Sequence, residues 1–233
     1  FSTCAALVAT LYAGSVVGAA TITQWTFEPG TAGNPPSGSG TTITGITAST
    51  GTGIAGGNHA SSSTTWDNPV GNGSAESFSS NNWGIGGYYQ FDTSTIGYKD
   101  IQFSFDATGS GTGPRDFRID YFDGVNYVPT GATYEVLFNG AHNSSWNSTT
   151  HQPAYTHSFD LSSITALNNN AALSLRLVNT STVSTSGGTV GTGGTSRVDN
   201  VTVSGTLIPE PASAILMLLS CTAIVGLRRR ERR

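Results

Sequence analysis

The chain has 233 residues, 36% hydrophobic and only 10% charged, with a formal net charge of −4. So little charge with so many aromatics weighs against a disordered chain, and the acidic balance weighs against nucleic acid as a partner. Thirty glycines among abundant Ser, Thr and Asn disfavour exposed helices, because these residues prefer turns and caps; strands joined by turns are expected.

The N-terminal stretch FSTCAALVATLYAGSVVGAAT starts without Met or a basic flank, so residues upstream of Phe1 are expected. It is apolar from Ala5 to Val17. Gly18-Ala19-Ala20 then offers the small residues that signal peptidase requires, with cleavage before Thr21. Residues 1–20 are read as a helical signal peptide and residues 21–207 as a β-sandwich domain.

TITQWTFE alternates as a first strand, with Trp25 and Phe27 on one face. Pro29 to Asn82 reads as a loop-rich third with one or two short strands around Ile43 and Ile46. From Gly86 the strand signals are regular: GGYYQFDT, DIQFSFDAT, DFRIDYFDG, ATYEVLFNG, YTHSFDL, AALSLRLVNTS and SRVDNVTVSG. Ile101, Phe103, Phe105 and Ala107 share a face, as do Phe117, Ile119 and Tyr121, and Leu173, Leu175 and Leu177. The opposite faces carry Ser, Arg, Asp and Thr, the pattern of half-buried antiparallel strands. About nine strands at this spacing predict an all-β, two-sheet antiparallel sandwich with jelly-roll-like topology. SSITALNNN is expected to make one helical turn.

The chain closes on IPEPASAILMLLSCTAIVGLRRRERR, residues 208–233. Ala212 to Leu227 is uncharged and apolar or small throughout, at the short limit of a transmembrane helix. Arg228, Arg229, Arg230, Arg232 and Arg233 would hold its end on the cytoplasmic side. Pro209, Glu210 and Pro211, the apolar run and the arginine cluster together resemble the PEP-CTERM sorting signal of Gram-negative bacteria. That resemblance implies an exosortase that cuts near Pro-Glu-Pro, passage through the inner membrane, and delivery to the envelope or a polysaccharide matrix. A permanent membrane anchor is the alternative. The only cysteines, Cys4 and Cys221, lie in the two terminal segments, so the central domain is expected to hold together without a disulfide. Loss of the tail takes ten basic and fourteen acidic residues to five and thirteen, a net charge of about −8, which suits cations or neutral sugars as partners.

GNGSAESFSSNNWGIGGYYQF, SFDATGSGTGPRDFRIDY, FDLSSITALNNN and RVDNVTVSG resemble a β-sandwich module of secreted bacterial proteins, similar to jelly-roll carbohydrate-binding modules. The resemblance implies polysaccharide as a partner. It also implies a structural Ca2+ tying the first strand to the last, with Glu28 and Asp199 as carboxylate ligands. Against this, Glu28 could pair with Arg197 and Asp199 could cap a turn.

No G-x-S-x-G context or H-E-x-x-H pair occurs, and His59, His142, His151 and His157 are scattered. Asp106, Asp116, Asp120, Asp123 and Glu135 cluster in sequence, which leaves a cryptic glycan-active hydrolase as a rival. The leading expectation is a non-catalytic surface or matrix protein. Among the aromatics, Trp146 lies between Asn143 and Asn147 in a polar loop and is expected to be exposed, a stacking platform for a sugar ring with amides at hand for hydroxyls.

The sorting signal is directly testable. Exported protein should lack Arg228 to Arg230 by mass spectrometry. Replacing Pro209, Glu210 and Pro211 with alanine should leave full-length protein in the inner membrane, and an intact arginine tail on exported protein refutes the cut.

Overall fold

A computed structural model describes residues 18–140 and 145–209. The signal-peptide run, the transmembrane segment 212–227, Glu210, Pro211, Arg228, Arg229, Arg230, His142 and Asn143 lie outside the described residues. Among the described residues no helix is long and apolar enough to cross a membrane.

Two sheets face each other across one core. The first contains β1 (Ala20–Trp25), β2 (Gly38–Ser39), β5 (Thr65–Asp67), β6 (Phe78–Ser80), β8 (Tyr98–Gly109), β11 (Leu137–Phe138), β12 (Thr156–Asp160) and β14 (Ser196–Leu207). Its order is β11-β8-β14-β6-β5-β2, with β1 also on β14 and β12 also on β8. The second runs β10-β9-β13-β7-β4-β3, where β3 is Thr42–Thr47, β4 Gly53–Asn58, β7 Tyr88–Thr93, β9 Asp116–Phe122, β10 Tyr127–Glu135 and β13 Leu173–Asn179. Only the two-residue β11 pairs in parallel. The expected all-β antiparallel sandwich is the observed fold.

The alternating residues do what their period requires. Ile101, Phe103, Phe105, Ala107, Phe117, Ile119, Leu173, Leu175 and Leu177 are all buried in the core. Tyr121 is partly buried and packs against it. Aromatic rings run through the middle in contact with one another. Trp25 meets Phe91 at 5.4 Å, Phe91 meets Phe103 at 6.1 Å, and Phe105 meets Tyr134 at 5.0 Å. Tyr134 stacks on Phe117, and Trp83 stands edge-on to both Phe117 and Tyr89. The buried Tyr89 hydroxyl donates to Ser196 O and accepts from Ser80 Oγ, so it crosses the core without an unmet bond. Thr165–Leu167 forms the expected helical turn, as a short 3-10 helix.

The first third departs from expectation. It holds β2 to β6, five short strands instead of one or two. Glycine is the reason the pattern was hidden. β4 reads GIAGGN, a poor strand by propensity. Its glycines are required by ring packing: a Cβ on Gly57 would lie 2.7 Å from Trp66 Cζ3 and 2.9 Å from Tyr88 O, and one on Gly53 would lie 2.5 Å from Trp25 Cζ2. The two indoles occupy the space that side chains would fill. Pro129 and Gly131, also strand-breaking, sit where β10 loses register against β9, at the edge of the six-stranded sheet.

Gly57→Ala should therefore lower stability by about 1–3 kcal/mol, as overpacking does in a close-packed core. Chemical denaturation measures it, and an unchanged midpoint would show that Trp66 does not rest on this glycine.

Candidate functional site

The outer face of the six-stranded sheet is open and polar. Strand alternation turns Ser174 and Arg176 outward from β13, and Tyr88, Gln90 and Asp92 outward from β7. Cross-strand pairing then aligns them: Asp92 faces Ser174 and Gln90 faces Arg176. On the far side of β7, Gly56 faces Gln90 and leaves the floor low, while Ile54 faces Asp92. Two hollows meet along this floor and share Gln90 and Asp92. The larger, ≈ 760 Å³, is lined by Thr52, Ile54, Leu173, Ser174 and Tyr127 among others. The smaller, ≈ 270 Å³, is lined by Thr42, Ile43, Gly56, Tyr88 and Arg176 among others.

The floor is bonded in one direction. Ser174 Oγ donates its proton to Asp92 Oδ1, so Tyr127 OH donates to Ser174 Oγ, at 2.7 Å. From the other side Gln90 Nε2 donates to both Asp92 oxygens, at 3.0 and 2.9 Å. That orientation leaves Gln90 Oε1 to accept from Arg176 Nε at 2.8 Å. Arg176 Cζ lies 3.8 Å from the centre of the Tyr88 ring and 3.2 Å from that of Tyr127. The cation is thus held by ring faces and one amide. Tyr127, Arg176, Gln90, Asp92 and Ser174 were not singled out by the sequence reading. For all but Tyr127 the one signal was their place opposite the leucines and aromatics in LSLRL and YYQFD.

The eight-stranded sheet is covered over one part of its outer face. Asp106 on β8 stands directly opposite Asp199 on β14, and both are buried, 1% and 0% exposed. Two loop segments cover them. From residues 68–76, Asn72 N–H and Ser74 Oγ–H donate to Asp199 Oδ2 at 2.8 and 2.6 Å. From residues 145–156, Thr156 Oγ donates to Asp106 Oδ1, and the half-exposed His151 places Nε2 3.2 Å from Asp106 Oδ2. Asn200 Nδ2 reaches both carboxylates, at 2.9 and 3.3 Å. Burial pushes the Asp199 carboxyl up to about 6, against its hydrogen bonds, and Asp106 adds to the rise.

Glu28 and Asp199, the expected calcium ligands, hold the same loop. Glu28 Oε1 accepts Glu76 N–H at 2.8 Å. Asp199 Oδ1 takes the Asn200 N–H, so both Asp199 oxygens accept hydrogen bonds from the chain. Among the described residues no cluster of three or more His, Cys, Asp or Glu is placed to hold a metal. Glu28 also makes no ion pair with Arg197 among the described residues.

The exposure expected of Trp146 is corrected. It is only 6% exposed, its Nε1 donates to Val70 O at 2.7 Å, and it stands edge-on to Tyr155. The polar neighbours that suggested a surface loop instead cap its turn: Asn147 Oδ1 accepts from the N–H groups of Thr149 and Thr150. Pro209 is exposed at the end of the described residues. Of the carboxylates that cluster in sequence, only Asp116 and Glu135 come together, facing each other across β9 and β10. Asp106 lies under the loops of one sheet. Asp116 pairs with Arg115, and Asp120 with Arg118, on the other. Asp123 caps its own turn, and Glu135 stands 3.9 Å from Arg115.

No family model and no curated protein sequence matches the chain. Solved structures do resemble it. The K2 cleaved adhesin domain of Lys-gingipain is 12% identical, with a TM-score of 0.37, over 79% of this chain and 98% of that one. The CBM22-1 xylan-binding domain from Paenibacillus barcinonensis Xyn10C is 12% identical, with a TM-score of 0.38, over 82% and 97%. TmCBM61, solved in complex with β-1,4-galactotriose, is 11% identical, with a TM-score of 0.29, over 70% and 81%. Likenesses of this degree carry nothing about a site or a role.

A buried histidine and a partly buried one give the fold a pH dependence. His59, packed against Trp66 and Trp83, and His157, packed against Tyr134 and Phe105, are both pushed down to about 4 by burial. Their folded pKa lies below the unfolded value, so the stability they permit is present above pH ~6.5 and lost as pH falls towards ~4, on the order of 3 kcal/mol each. Asp199, raised to about 6, works the other way, losing stability as pH rises from ~4 to ~6 by a similar single amount. Two groups outweigh one. The melting midpoint should fall from pH 6.5 to pH 4, and His157→Phe should flatten the fall. Melts with millimolar calcium and with chelator test the expected metal: a midpoint raised by calcium supports one at Glu28 and Asp199, and coinciding melts remove it.

Proposed function

We propose that the protein is an exported, non-catalytic β-sandwich module that holds a polysaccharide along the outer face of its six-stranded sheet, in the cell envelope or matrix. The supporting observation is the groove of two joined hollows, with Tyr88 and Tyr127 set over a pre-bonded floor of Asp92, Gln90, Ser174 and Arg176. Sugar rings present apolar faces to aromatic side chains and hydroxyls to fixed polar groups, and this floor carries both. Its side chains are already bonded to one another, so little ordering entropy opposes binding. None of Asp106, Asp116, Asp120 and Glu135 lines the groove, which supports a binding role there over hydrolysis, since hydrolysis needs two carboxyl groups flanking one bond. The tail resembling a sorting signal supports delivery outside the inner membrane, with exosortase and signal peptidase as processing partners.

Affinity electrophoresis against a panel of neutral and acidic polysaccharides tests the reading. The protein should be retarded by at least one of them. Tyr127→Ala, which removes one wall of the groove, should reduce retardation at least tenfold in apparent affinity with the fold retained by circular dichroism. Asn147→Ala, on the covered sheet, should bind as the native protein does. No retardation by any polysaccharide, or equal loss in both variants, would remove the groove from consideration.

A further inference from the structure

Arg176 stands apart from the other arginines of the six-stranded sheet. Arg115 and Arg118 each meet a carboxylate, at 2.7 and 2.8 Å. Arg176 makes no ion pair among the described residues, although Asp120 and Asp92 are close by register. Asp120 is taken by both nitrogens of the Arg118 fork, at 2.8 and 3.0 Å. Asp92 is filled by Gln90 and Ser174. Each neighbouring carboxylate is satisfied by another donor, and the guanidinium is left with a single hydrogen bond, from Nε to Gln90 Oε1. Its two Nη groups carry four further N–H donors with no acceptor among the described residues.

The geometry also fixes which approach stays open. In the register of β13 and β7, Tyr88 lies one row beyond Arg176, opposite Val178, and Tyr127 reaches Ser174, one row before it. The rings therefore stand on either side of the guanidinium, 3.8 and 3.2 Å from Cζ, and cover its faces. Only the edge bearing the Nη groups is left, and Arg176 lines the smaller hollow. A planar edge with paired parallel N–H groups is the complement of a carboxylate, which accepts two bonds in one plane. A neutral sugar hydroxyl would satisfy one of those donors and leave the charge unmatched. Held between aromatic rings, a guanidinium keeps its orientation and loses little freedom on binding.

We propose that this groove selects acidic polysaccharide, and that a uronate carboxylate seats in bidentate fashion on Nη1 and Nη2 of Arg176. This rests on the reading of the groove as a polysaccharide site and adds the charge of the sugar. The net acidity of the chain opposes non-specific binding of such polymers, so the selectivity must come from this one position.

The test uses short oligomers of galacturonate, glucuronate, mannuronate and guluronate, each beside its methyl ester, with xylo- and gluco-oligosaccharides as neutral probes, in titration calorimetry. At least one free uronate should bind ten times more tightly than its ester, which keeps the ring and removes the charge. Arg176→Gln should erase that preference. Arg176→Lys, which keeps the charge and loses the fork, should retain only part of it. Thermal melts of both variants check the fold, and the ester comparison on the native protein needs no variant. Equal binding of acid and ester, or an unchanged preference in Arg176→Gln, overturns the proposal. Neutral oligosaccharides bound in preference to every uronate would overturn it while leaving the groove as a sugar site. Absence of binding to all probes would overturn both.

Discussion

The pairing of β8 with β14 is the constraint on which both faces of the molecule depend. Twelve-residue strands run antiparallel from Tyr98 opposite Leu207 to Gly109 opposite Ser196. β14 carries β1 and β6 on its other edge, so the first and last strands of the sandwich meet there. Its register breaks between Asp199 and Thr202, where Asn200 takes a positive φ of 51°. The bulge lets Val198 and Val201 both face the core while Asp199 points out. A straight strand could not bury those two valines three residues apart on one face.

That outward turn sets the fate of the two sheets. Two acids side by side on the eight-stranded sheet would repel in the open. They are instead roofed by residues 68–76 and 145–156, whose N–H and O–H groups meet them. The roof is locked to itself: Asn72 bonds both the carbonyl and the N–H of Gln152, and Gly73 N–H meets Asn147 O. Trp146 seals it from inside. On the six-stranded sheet the facing pair Asp116 and Glu135 both meet Arg115, so it needs no cover. Asp116 and Asp120 have their own arginines, and Asp92 is met by side chains of its own sheet. That face needs no roof, and it is left as a groove. One fold thus separates a closed polar face, which holds loops in place, from an open one with unfilled donors.

No cysteine occurs in residues 18–209, so no disulfide crosses the sandwich, and its stability rests on the ring-packed core. Trp25, Trp66, Trp83, Phe78 and Tyr89 gather at the glycine-rich strand β4, where the missing side chains admit the indoles. Close packing of this kind gains dispersion contacts over the whole ring surface, and it tolerates little added volume. The same crowding keeps His59 and His157 neutral, which ties the fold's pH limits to the rings that surround them.

The residues by themselves determined the sheet type. Period-two alternation in IQFSFDA, FRIDY and LSLRL marked which side chains enter the core, because each strand of a half-buried sheet must turn every second residue inward. They also marked the terminal segments as distinct in composition. Short strands built on glycine escaped notice, since their reason lies in the indoles of Trp25 and Trp66, distant in sequence. Trp146 was misjudged for the same cause: its polar neighbours bond to their own turn while the ring is covered by Val70 and Tyr155. The groove was beyond reach because it is made by register. Arg176 is an ordinary outward residue of β13 until β7 and β10 bring Tyr88, Gln90 and Tyr127 around it. Alternation says which face a side chain takes, but only the pairing of strands far apart in the chain decides which side chains meet there, and a site is made of those meetings.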